Sequence, residues 1–478
     1  MNTLAASPTM TAPPLDAETV SQFEASLRGQ LIRPENPDYD EARAVRNGLI
    51  DRHPALIARC TGNADVITAV NFAREQGLTV SIRGGGHNVA GSAVNDGGLV
   101  IDLSLMRGVR VDPATRTVRV QAGATWGDVD PETQVFGLAT PGGVISSTGV
   151  GGLTLHGGWG WLRHKYGYCV DNLLSVDIVT ADGELRVANA EENPDLYWAV
   201  RGAGSNFGVV TSFEFQLHPV GPMIALAATM YAIEDAARVL PAWRDVAESA
   251  PDEVSSSALF WGVPAAEAFP ADIHGKAVVI IAAMYAGDAA EGERILKPLR
   301  ELAKPVLDLS GQMPYAVMQS AFDPFFPKGW LYYWKSRYLD RLDQETIRAI
   351  THYASTRPSP MSLMALWHVG GGAASRVPAD ATAFGTRDAP YLISFDTTWT
   401  DPAHTDQNIA WTRAAWADMG RFGGGGLYLN FAGFGEEKEA LVRAGYGANY
   451  ERLAALKATY DPENLFHMNQ NIKPVVSA

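Results

Sequence analysis

The sequence predicts an α+β protein of two domains, and three observations lead to this prediction. Up to about Pro219, short apolar runs typical of strands are joined by one clear helix and two hairpins. From about Gly221 to Gly426, long amphipathic helices alternate with strands, which is typical of one sheet covered by helices on one side. A chain of 478 residues is long enough for two or three domains with sizeable cores.

The elements of the first domain follow from apolar patterns and turn chemistry. Residues 54–60 (PALIARC), 78–82 (LTVSI) and 98–106 (GLVIDLSLM) are predicted strands. A helix is predicted between the first two, because apolar residues recur at helical spacing from Asn63 and Gly77 suits a C-terminal stop. The segments GVRVDPATRTVRVQAG and SVDIVTADGELRVA each predict a hairpin, the second turning at Asp182 and Gly183.

The second domain and the tail continue the alternation. Helices are predicted at EDAARVLPAWRDVAES, AAEGERILKPLRELAK and DQETIRAITHYAS, and strands at SSSALFWGV, KAVVIIAAMY, SLMALWHV, YLISFDTTW and GLYLNF. The tail is predicted to form a helix that an Asp-Pro pair ends. We therefore expect a disordered lead over 1–15, a first domain over 16–219, a second over 220–426 and a C-terminal segment over 427–478.

Composition excludes several classes of function. The net charge of −15 argues against a nucleic-acid partner, because phosphate binding requires a basic face. No apolar run approaches the ~20 residues of a membrane span, and the first residues lack the pattern of a signal peptide, so we expect a cytoplasmic protein. Cys60 and Cys169 are interpreted as small buried hydrophobes, and the absence of metal-binding motifs predicts no metal site.

The stretch SIRGGGHNVAG contains three glycines followed directly by His87. A dinucleotide-binding Rossmann loop would open a helix here, but turn-forming residues without helical periodicity fill the space before Asp102. Consecutive amides of a glycine loop can instead bind a diphosphate without a helix. The neutral imidazole of His87 could then attack the electrophilic methyl carbon of a flavin and form a covalent bond. A purely structural loop histidine is the alternative.

Five motifs in order resemble the berberine-bridge-enzyme-like branch of the vanillyl-alcohol-oxidase superfamily. They are SIRGGGHNVAG, PGGVISSTGVGGLTLHGGWG, RHKYGYCVDNLLSVDIVTADG, NPDLYWAVRGAGSNFGVVTSFEF and YDPENLFHMNQNI. The resemblance implies a PCMH-type FAD-binding domain and a substrate domain whose antiparallel sheet is covered by helices. It also implies that the C-terminal segment returns to the FAD domain and that His87 holds FAD through the 8α-methyl group.

One departure from the family concerns a second flavin tether. Many members carry a cysteine in this glycine tract, whereas Ile145 stands at that position here, as in members similar to 6-hydroxynicotine oxidase. We therefore expect attachment through His87 alone, since Cys169 belongs to a different motif. The resemblance also implies that Thr148 stands where oxygen access is controlled, which favours dioxygen as the electron acceptor.

The resemblance implies further cofactor contacts. Those near the diphosphate are Arg83, Gly84, Gly85, Gly86, Asn88 and Gly91; a second set is Ser146, Ser147, Thr148, Gly149, Gly151, Gly152, Gly157 and Gly158. Residues along the adenosine and ribityl portions are Gly202, Gly204, Gly208, Val209 and Val210, and Asn469 and Asn471 are expected at the flavin edge.

Candidate catalytic residues lie on predicted strands of the second domain. Tyr428 in LYLNF resembles the tyrosine of the family's YxNY strand, and Arg163 or Lys165 could stabilise its phenolate; a tyrosine that only binds substrate is the alternative. His368 is a second candidate, with a structural histidine as the alternative. Ser394 stands where plant members place a carboxylate or amide, and Ser394, Trp367 and Tyr391 are expected to line the substrate pocket.

Together these features predict an FAD-dependent oxidase that acts on an alcohol or amine carbon of a small or medium-sized metabolite and forms hydrogen peroxide. Sugar oxidation is less expected, since those members generally keep the cysteine. A dehydrogenase or reductase using NADPH or a quinone is one alternative, against which the GGHN and NQNI motifs argue. A non-catalytic flavin-binding protein is another, against which the intact glycine motifs argue.

Overall fold

The computed structural model describes residues 15–424, 426–434 and 439–475. The predicted disordered lead over 1–15 therefore lies outside the described residues, apart from Leu15. Within these ranges no helix is long and apolar enough to cross a membrane.

The N-terminal domain begins with a small mixed sheet. Its elements are α1 (Ala17–Ser26), β1 (Gln30–Ile32), α2 (Tyr39–Arg43), β2 (Leu56–Arg59), α3 (Asn63–Glu75), β3 (Val80–Arg83) and β4 (Leu99–Asp102). The strands lie in the order β1-β2-β4-β3, with β2 and β3 parallel to β4. The predicted strands and helix are confirmed, and Gly77 adopts the positive φ of +62° that a helix stop uses.

A second, antiparallel sheet completes this domain. Its elements are β5 (Val109–Asp112), β6 (Thr117–Gln121), α4 (Trp126–Gln134), β7 (Leu138–Ala139), α5 (Val150–Thr154), α6 (Arg163–Tyr166), β8 (Leu173–Val179), β9 (Leu185–Asn189), α7 (Pro194–Ala203), β10 (Val209–Gln216) and β11 (His218–Pro219). The sheet order is β5-β6-β10-β8-β9, and β11 pairs with β7. Both predicted hairpins, β5–β6 and β8–β9, are present.

The central domain is one large antiparallel sheet with helices on one face. Its elements are β12 (Met223–Ala232), α8 (Ala236–Ser249), β13 (Val254–Gly262), β14 (Ala277–Tyr285), α9 (Ala289–Arg300), β15 (Leu307–Asp308), β16 (Gly311–Pro314), α10 (Tyr315–Gln319), β17 (Leu331–Leu339), α11 (Gln344–Ser355), β18 (Leu363–His368), α12 (Gly372–Arg376), β19 (Tyr391–Trp399) and α13 (Thr405–Asp418). The strand order is β15-β12-β14-β13-β18-β19-β17, with β16 beside β12.

The two faces of the central sheet serve different purposes. Side chains alternate along each strand, so Ile393 and Phe395 of β19 pack in the core beneath the helices. Leu392 of β19 and Trp367 of β18 belong to the opposite face, where they form one cluster with Trp159 of the N-terminal domain. This second face is therefore the side on which the two domains meet.

The C-terminal segment closes the molecule against the N-terminal domain through α14 (Glu439–Tyr446) and α15 (Tyr450–Tyr460). The ammonium group of Lys457 is fully buried and donates to the Asn206 carbonyl at 2.7 Å and to Asp461 at 2.6 Å. The Asn206 side chain accepts from the Ile472 amide at 2.9 Å. One predicted strand is wrong, because residues 429–431 of GLYLNF form a short 3-10 turn.

Candidate active site

One long cavity lies between the N-terminal domain and the open face of the central sheet. Apolar side chains from the two N-terminal sheets line one part, and glycine-rich loops line the next. Aromatic side chains and one carboxyl group line the remainder. A cavity that is mainly apolar with few polar groups is typical of a cofactor or ligand site.

Two glycine loops form the middle of the cavity, one following β3 and one leading into α5. They pack backbone to backbone, because a Cβ atom on Gly85 would lie 2.5 Å from the Gly149 nitrogen. Gly86 has φ of +62°, a conformation that favours glycine. Gly152 lines the cavity, and apart from its two chain neighbours and the backbone of α5 no described atom lies within 4 Å of the position that its Cβ would take. The loops therefore leave open the space that a bound cofactor requires.

His87 stands on the cavity wall directly after the first loop. Its Nε2 atom is buried and has no hydrogen-bond partner among the described residues. Burial holds the pKa of His87 well below its usual value, and the positive charge of Arg46 lowers it further. Arg46 is tied to both loops, since its backbone amide donates to Gly86 at 3.1 Å and its guanidinium to Ser147 at 2.9 Å. The imidazole is therefore uncharged at neutral pH, which the proposed flavin bond requires.

The residues expected to bind the cofactor divide into two groups. Those that line the cavity are Gly84, Gly85, Gly86, His87, Asn88, Thr148, Gly149, Gly151, Gly152, Gly208, Val210 and Asn469. The others are not among the residues that line it: Arg83, Gly91, Ser146, Ser147, Gly157, Gly158, Gly202, Gly204, Val209 and Asn471. Arg83, for example, pairs with Asp102 at 2.8 Å, and Ser146 donates its backbone amide to Asp323 at 2.9 Å.

An aromatic group of side chains forms the part of the cavity nearest the central sheet. The ring centroids of Trp159 and Trp367 are 4.7 Å apart, and those of Trp159 and Tyr428 are 5.6 Å apart. Phe322, Phe326, Trp334 and Phe431 complete this wall. Of the residues expected in the substrate pocket, Trp367 lines this cavity, and Ser394 is not among its lining residues.

Arg163 lies behind the Trp159–Trp367 pair and supports it. Its guanidinium is fully buried, 5.7 Å from one indole and 5.6 Å from the other. It donates to the carbonyls of Gly160, Ser256 and His368, which belong to both domains. Arg163 therefore holds the aromatic wall in place across the domain junction.

The carboxyl group in this aromatic part belongs to Asp396, which the sequence analysis did not identify. Asp396 is 6% exposed and lines the cavity from β19. Its Oδ2 accepts from the Ser394 hydroxyl at 3.2 Å, and its Oδ1 has no partner within the described part of the chain. Burial raises the pKa of Asp396 to about 7. Alternation along YLISFDTTW was a usable signal, because it places Ser394 and Asp396 on one face.

Two predicted site residues face the other side of the central sheet. His368 and Tyr391 are paired neighbours on β18 and β19. Each is an odd number of residues from Trp367 or Asp396 on its own strand, so its side chain points to the opposite face of the sheet. The Tyr391 hydroxyl hydrogen-bonds to Glu248 beneath the helices. Neither side chain reaches the cavity, so the expectation of a catalytic His368 and a pocket-lining Tyr391 is corrected.

Tyr428 lines the cavity, but its surroundings do not suit a base. Burial raises the pKa of its phenol well above the usual value, although its hydroxyl accepts from the Asn430 amide at 2.9 Å. The suggested cations are engaged elsewhere, since Lys165 donates to the Ala286 carbonyl and Arg163 to the three carbonyls above. Tyr428 is therefore a neutral phenol that can bind a substrate.

Known proteins agree with this arrangement. The family model described as "FAD binding domain" matches residues 54–189, and "Berberine and berberine like" matches residues 427–473.

No group of three or more His, Cys, Asp or Glu that could hold a metal ion occurs among the residues that the structure describes.

Relatives cover nearly the whole chain. An uncharacterised FAD-linked oxidoreductase, YgaK of Bacillus subtilis, is 30% identical over 95% of this chain and 98% of its own length. The (R)-6-hydroxynicotine oxidase of Paenarthrobacter nicotinovorans is 31% identical over 94% of this chain and 97% of its own. The crystal structure of 6-hydroxy-D-nicotine oxidase from Arthrobacter nicotinovorans superposes with a TM-score of 0.84 at 31% identity, covering 94% of this chain and 99% of that one. With its glycine loops, its cavity and these relatives, the chain belongs to the berberine-bridge-enzyme-like family of FAD-linked oxidoreductases.

Proposed function

We propose that this FAD-linked oxidoreductase is an oxidase that holds its flavin covalently through His87 alone, oxidises an amine or alcohol carbon, and passes the electrons to dioxygen. The observation that carries the proposal is that His87 and Asp396 line the same cavity. The first is an uncharged nucleophile beside the glycine loops. The second is a buried carboxyl group among aromatic side chains. These are the two functions that a covalent flavin oxidase needs.

The cofactor fits the residues present. The open space beside Gly152 and the unpartnered Nε2 of His87 are features that a bound group would explain. Bonding would replace one hydrogen of the flavin 8-methyl group and the ring N–H of His87 by a C–N bond, while dioxygen takes up both hydrogens as hydrogen peroxide. Ile145 offers no thiol at the position of a second tether. The proposal therefore includes a single covalent bond.

Asp396 supplies the base. FAD, when bound, would serve as the hydride acceptor, and the N–H or O–H proton of the substrate would have to go to a protein group. A carboxyl group with a pKa of about 7 is suited to this task, because its basic form is present at neutral pH and is stronger than an ordinary carboxylate. Tyr428 can bind the same substrate group through its hydroxyl. The substrate carbon thus loses a hydride, its nitrogen or oxygen loses a proton, and the product is an imine, ketone or aldehyde.

The aromatic wall favours an amine among these substrates. A protonated amine is stabilised both by the Asp396 carboxylate and by the faces of Trp159, Trp334 and Trp367. A sugar would instead require several hydrogen-bond partners, and the wall around Asp396 is mainly apolar. The name of the 6-hydroxynicotine oxidase relative supports the same preference. We therefore propose a medium-sized substrate with an apolar or aromatic body and an oxidisable amine carbon, with an alcohol as the second choice.

Acid precipitation of the purified protein tests the covalent bond. We expect a yellow pellet, and a peptide containing His87 that carries the mass of FAD. A His87→Ala variant should release its flavin into the supernatant. Release from the unsubstituted protein, or flavin bonded to Cys169, would contradict the proposal.

Turnover tests the reaction class. A panel of secondary amines and secondary alcohols with aromatic substituents should show oxygen uptake matched by hydrogen peroxide. Anaerobic mixing with NADPH serves as the comparison. Rapid bleaching of the flavin by NADPH, with no oxygen uptake on the panel, would favour the reductase alternative.

A further inference from the structure

A buried histidine joins three segments around the cofactor part of the cavity. His156 follows α5, is 2% exposed and lines the cavity. Its Nδ1 is 3.3 Å from the Gly152 carbonyl, and its Nε2 is 2.9 Å from the Ser205 hydroxyl. The amide nitrogen of the Asn469 side chain lies 3.5 Å from the same Nε2. The three partners belong to the glycine-rich loop, the turn after α7 and the C-terminal segment.

The hydrogen-bond roles follow from the chemistry of the partners. A carbonyl can only accept, so Nδ1 carries the hydrogen and donates it to Gly152. Nε2 is then the acceptor, and Ser205 and Asn469 donate to it. Burial lowers the pKa of His156 to about 4, so this neutral tautomer persists at neutral pH.

These roles determine what Ser205 and Asn469 present to the cavity that both line. Ser205 has one hydroxyl hydrogen, and it is used on His156, so the oxygen offers lone pairs to a ligand. Asn469 directs its amide nitrogen to His156, which leaves its carbonyl oxygen as the acceptor. FAD carries matching donors, namely the hydroxyls of its ribityl chain and the N3–H of its ring.

His156 also connects to the residues beside the substrate. The Asn430 side chain donates to the His156 carbonyl at 3.4 Å and to the Leu153 carbonyl at 3.1 Å, and it contacts the Tyr428 hydroxyl at 2.9 Å. The loop that follows α5 is thereby fixed to two parts of the C-terminal segment, one at Asn430 and one at Asn469.

We propose that His156 is a positioning residue of the cofactor site, which makes Ser205 and Asn469 hydrogen-bond acceptors for FAD and holds the C-terminal segment against the cofactor. This rests on the binding of FAD in the cavity, but not on the covalent bond to His87. His156 acts through Ser205 and Asn469, which it contacts directly, whereas the glycines of the loops leave space for the cofactor.

Three variants of the flavin-loaded enzyme test the proposal. His156→Leu removes both ring nitrogens, whereas His156→Gln retains a side-chain acceptor and donor. His218→Leu is the matched control, because the pKa of His218 is also lowered to about 4 by burial, its Nε2 is 2.6 Å from the Asn172 side-chain oxygen, and it does not line the cavity. Measurements are the visible circular dichroism of the flavin, hydrogen exchange over residues 465–475, and the thermal midpoint.

His156→Leu should change the flavin dichroism and speed exchange over 465–475 by about tenfold, the effect of one hydrogen bond of ordinary strength. His156→Gln should restore most of both signals. His218→Leu should lower the thermal midpoint and leave both signals unchanged.

Unchanged signals in His156→Leu, or equal changes in His218→Leu, would overturn the proposal. If His156→Leu fails to fold, Ser205→Ala decides the matter, since it should alter the flavin dichroism without speeding exchange in the tail. A wild-type pellet that loses its colour in acid would refute the covalent bond and leave this test intact.

Discussion

Ser394 and Asp396 are neighbours on the same face of β19, two residues apart along the strand. Of the two, only the carboxyl group of Asp396 can act as a base. Sequence reasoning stopped at Ser394, because the family resemblance marks that position, and a serine hydroxyl is not basic. The structure places the carboxyl group two residues later, at the cavity wall. The Ser394 hydroxyl donates to it at 3.2 Å, so the two residues form one unit. The family resemblance identifies only the position that matches the family's residue, here Ser394. The alternation of side chains along the strand shows in addition that Asp396 lies on the same face.

Replacing Asp396 by asparagine should remove the base and retain the shape of the side chain. We expect kcat to fall by about 10²- to 10⁴-fold, with the flavin content unchanged. The wild-type rate should rise with pH through about 7, because only the ionised carboxylate accepts the proton. This acid limb should vanish in Asp396→Asn. Steady-state rates between pH 5.5 and 9 check both points, and a variant with full turnover would exclude Asp396 as the base.

The hydroxyl of Ser394 should tune this acid limb. Its hydrogen bond lowers the pKa of Asp396 and opposes the effect of burial. Ser394→Ala should therefore move the limb to higher pH, by up to about one unit. Thr398→Val is the control, because the Thr398 hydroxyl donates to the main-chain oxygen of Asp396 and not to its carboxyl group. A limb that stays in place, or moves to lower pH, would show that the hydroxyl does not stabilise the carboxylate.

At the scale of single elements, the sequence predicts a strand correctly where the alternation of its side chains corresponds to the two faces of one sheet. It fails at residues 427–431, because Leu427 and Leu429 pack into the N-terminal core while Tyr428 packs into the domain junction. The side chains there alternate because they pack into two different hydrophobic cores, and the backbone forms a 3-10 turn and not a strand.

Two long strands of the central sheet, β12 and β17, were not predicted. In β17 the charges of Lys335 and Arg337 interrupt the apolar pattern. The structure places both over the ring of Trp416, at 3.6 Å and 4.1 Å from its centroid. Long charged side chains can cover a sheet face through their stems and through cation–π contacts. This requires a partner helix, α13, that local sequence does not reveal.

The glycine-rich entry to α5 gives a prediction at the same scale. Gly152→Leu should fold, since beyond its chain neighbours and the backbone of α5 no described atom lies within 4 Å of the added Cβ, but its side chain should fill the cavity proposed for the cofactor. We expect a colourless protein with a near-normal thermal midpoint for the flavin-free chain. Gly62→Leu is the matched control, because Gly62 has equally open surroundings and does not line the cavity. A yellow Gly152→Leu protein would place the cofactor elsewhere.

At the scale of the whole molecule, the site exists only where three parts of the chain meet. Resemblance and motif order predicted the glycine loops, His87 and the return of the tail. They did not predict the carboxyl group of Asp396 or the place of Trp334 in the aromatic wall, because both come from strands of the central domain and depend on which sheet face turns inward. Trp367 was predicted on the correct face and His368, its neighbour, was not. The orientation of a strand is a tertiary property.

Buried titratable groups spread over both domains predict how the stability of the molecule depends on pH. Four histidines besides His87 are held neutral by burial: the pKa is lowered to about 4 for His156, His218 and His368 and well below its usual value for His164. Unfolding returns them to about 6.5, so the unfolded chain binds more protons and stability rises between pH 4 and 6.5. Asp130 and Asp396 act in the opposite direction, because burial raises the pKa of each to about 7.

The histidines outnumber the carboxyl groups, so the thermal midpoint should rise from pH 4 to a maximum near pH 6.5. Each net proton corresponds to ~1.4 kcal/mol of unfolding free energy per pH unit. Scanning calorimetry of the flavin-loaded enzyme between pH 4 and 8 measures the slope. His218→Leu should flatten it by removing one histidine, and Asp130→Asn should steepen it by removing one opposing carboxyl group. A midpoint that stays level would mean that these groups titrate alike in the folded and unfolded chains or that their effects cancel. A midpoint that rises on acidification would mean that the raised pKa values of Asp130 and Asp396 outweigh the lowered pKa values of the histidines, and either result would contradict the prediction.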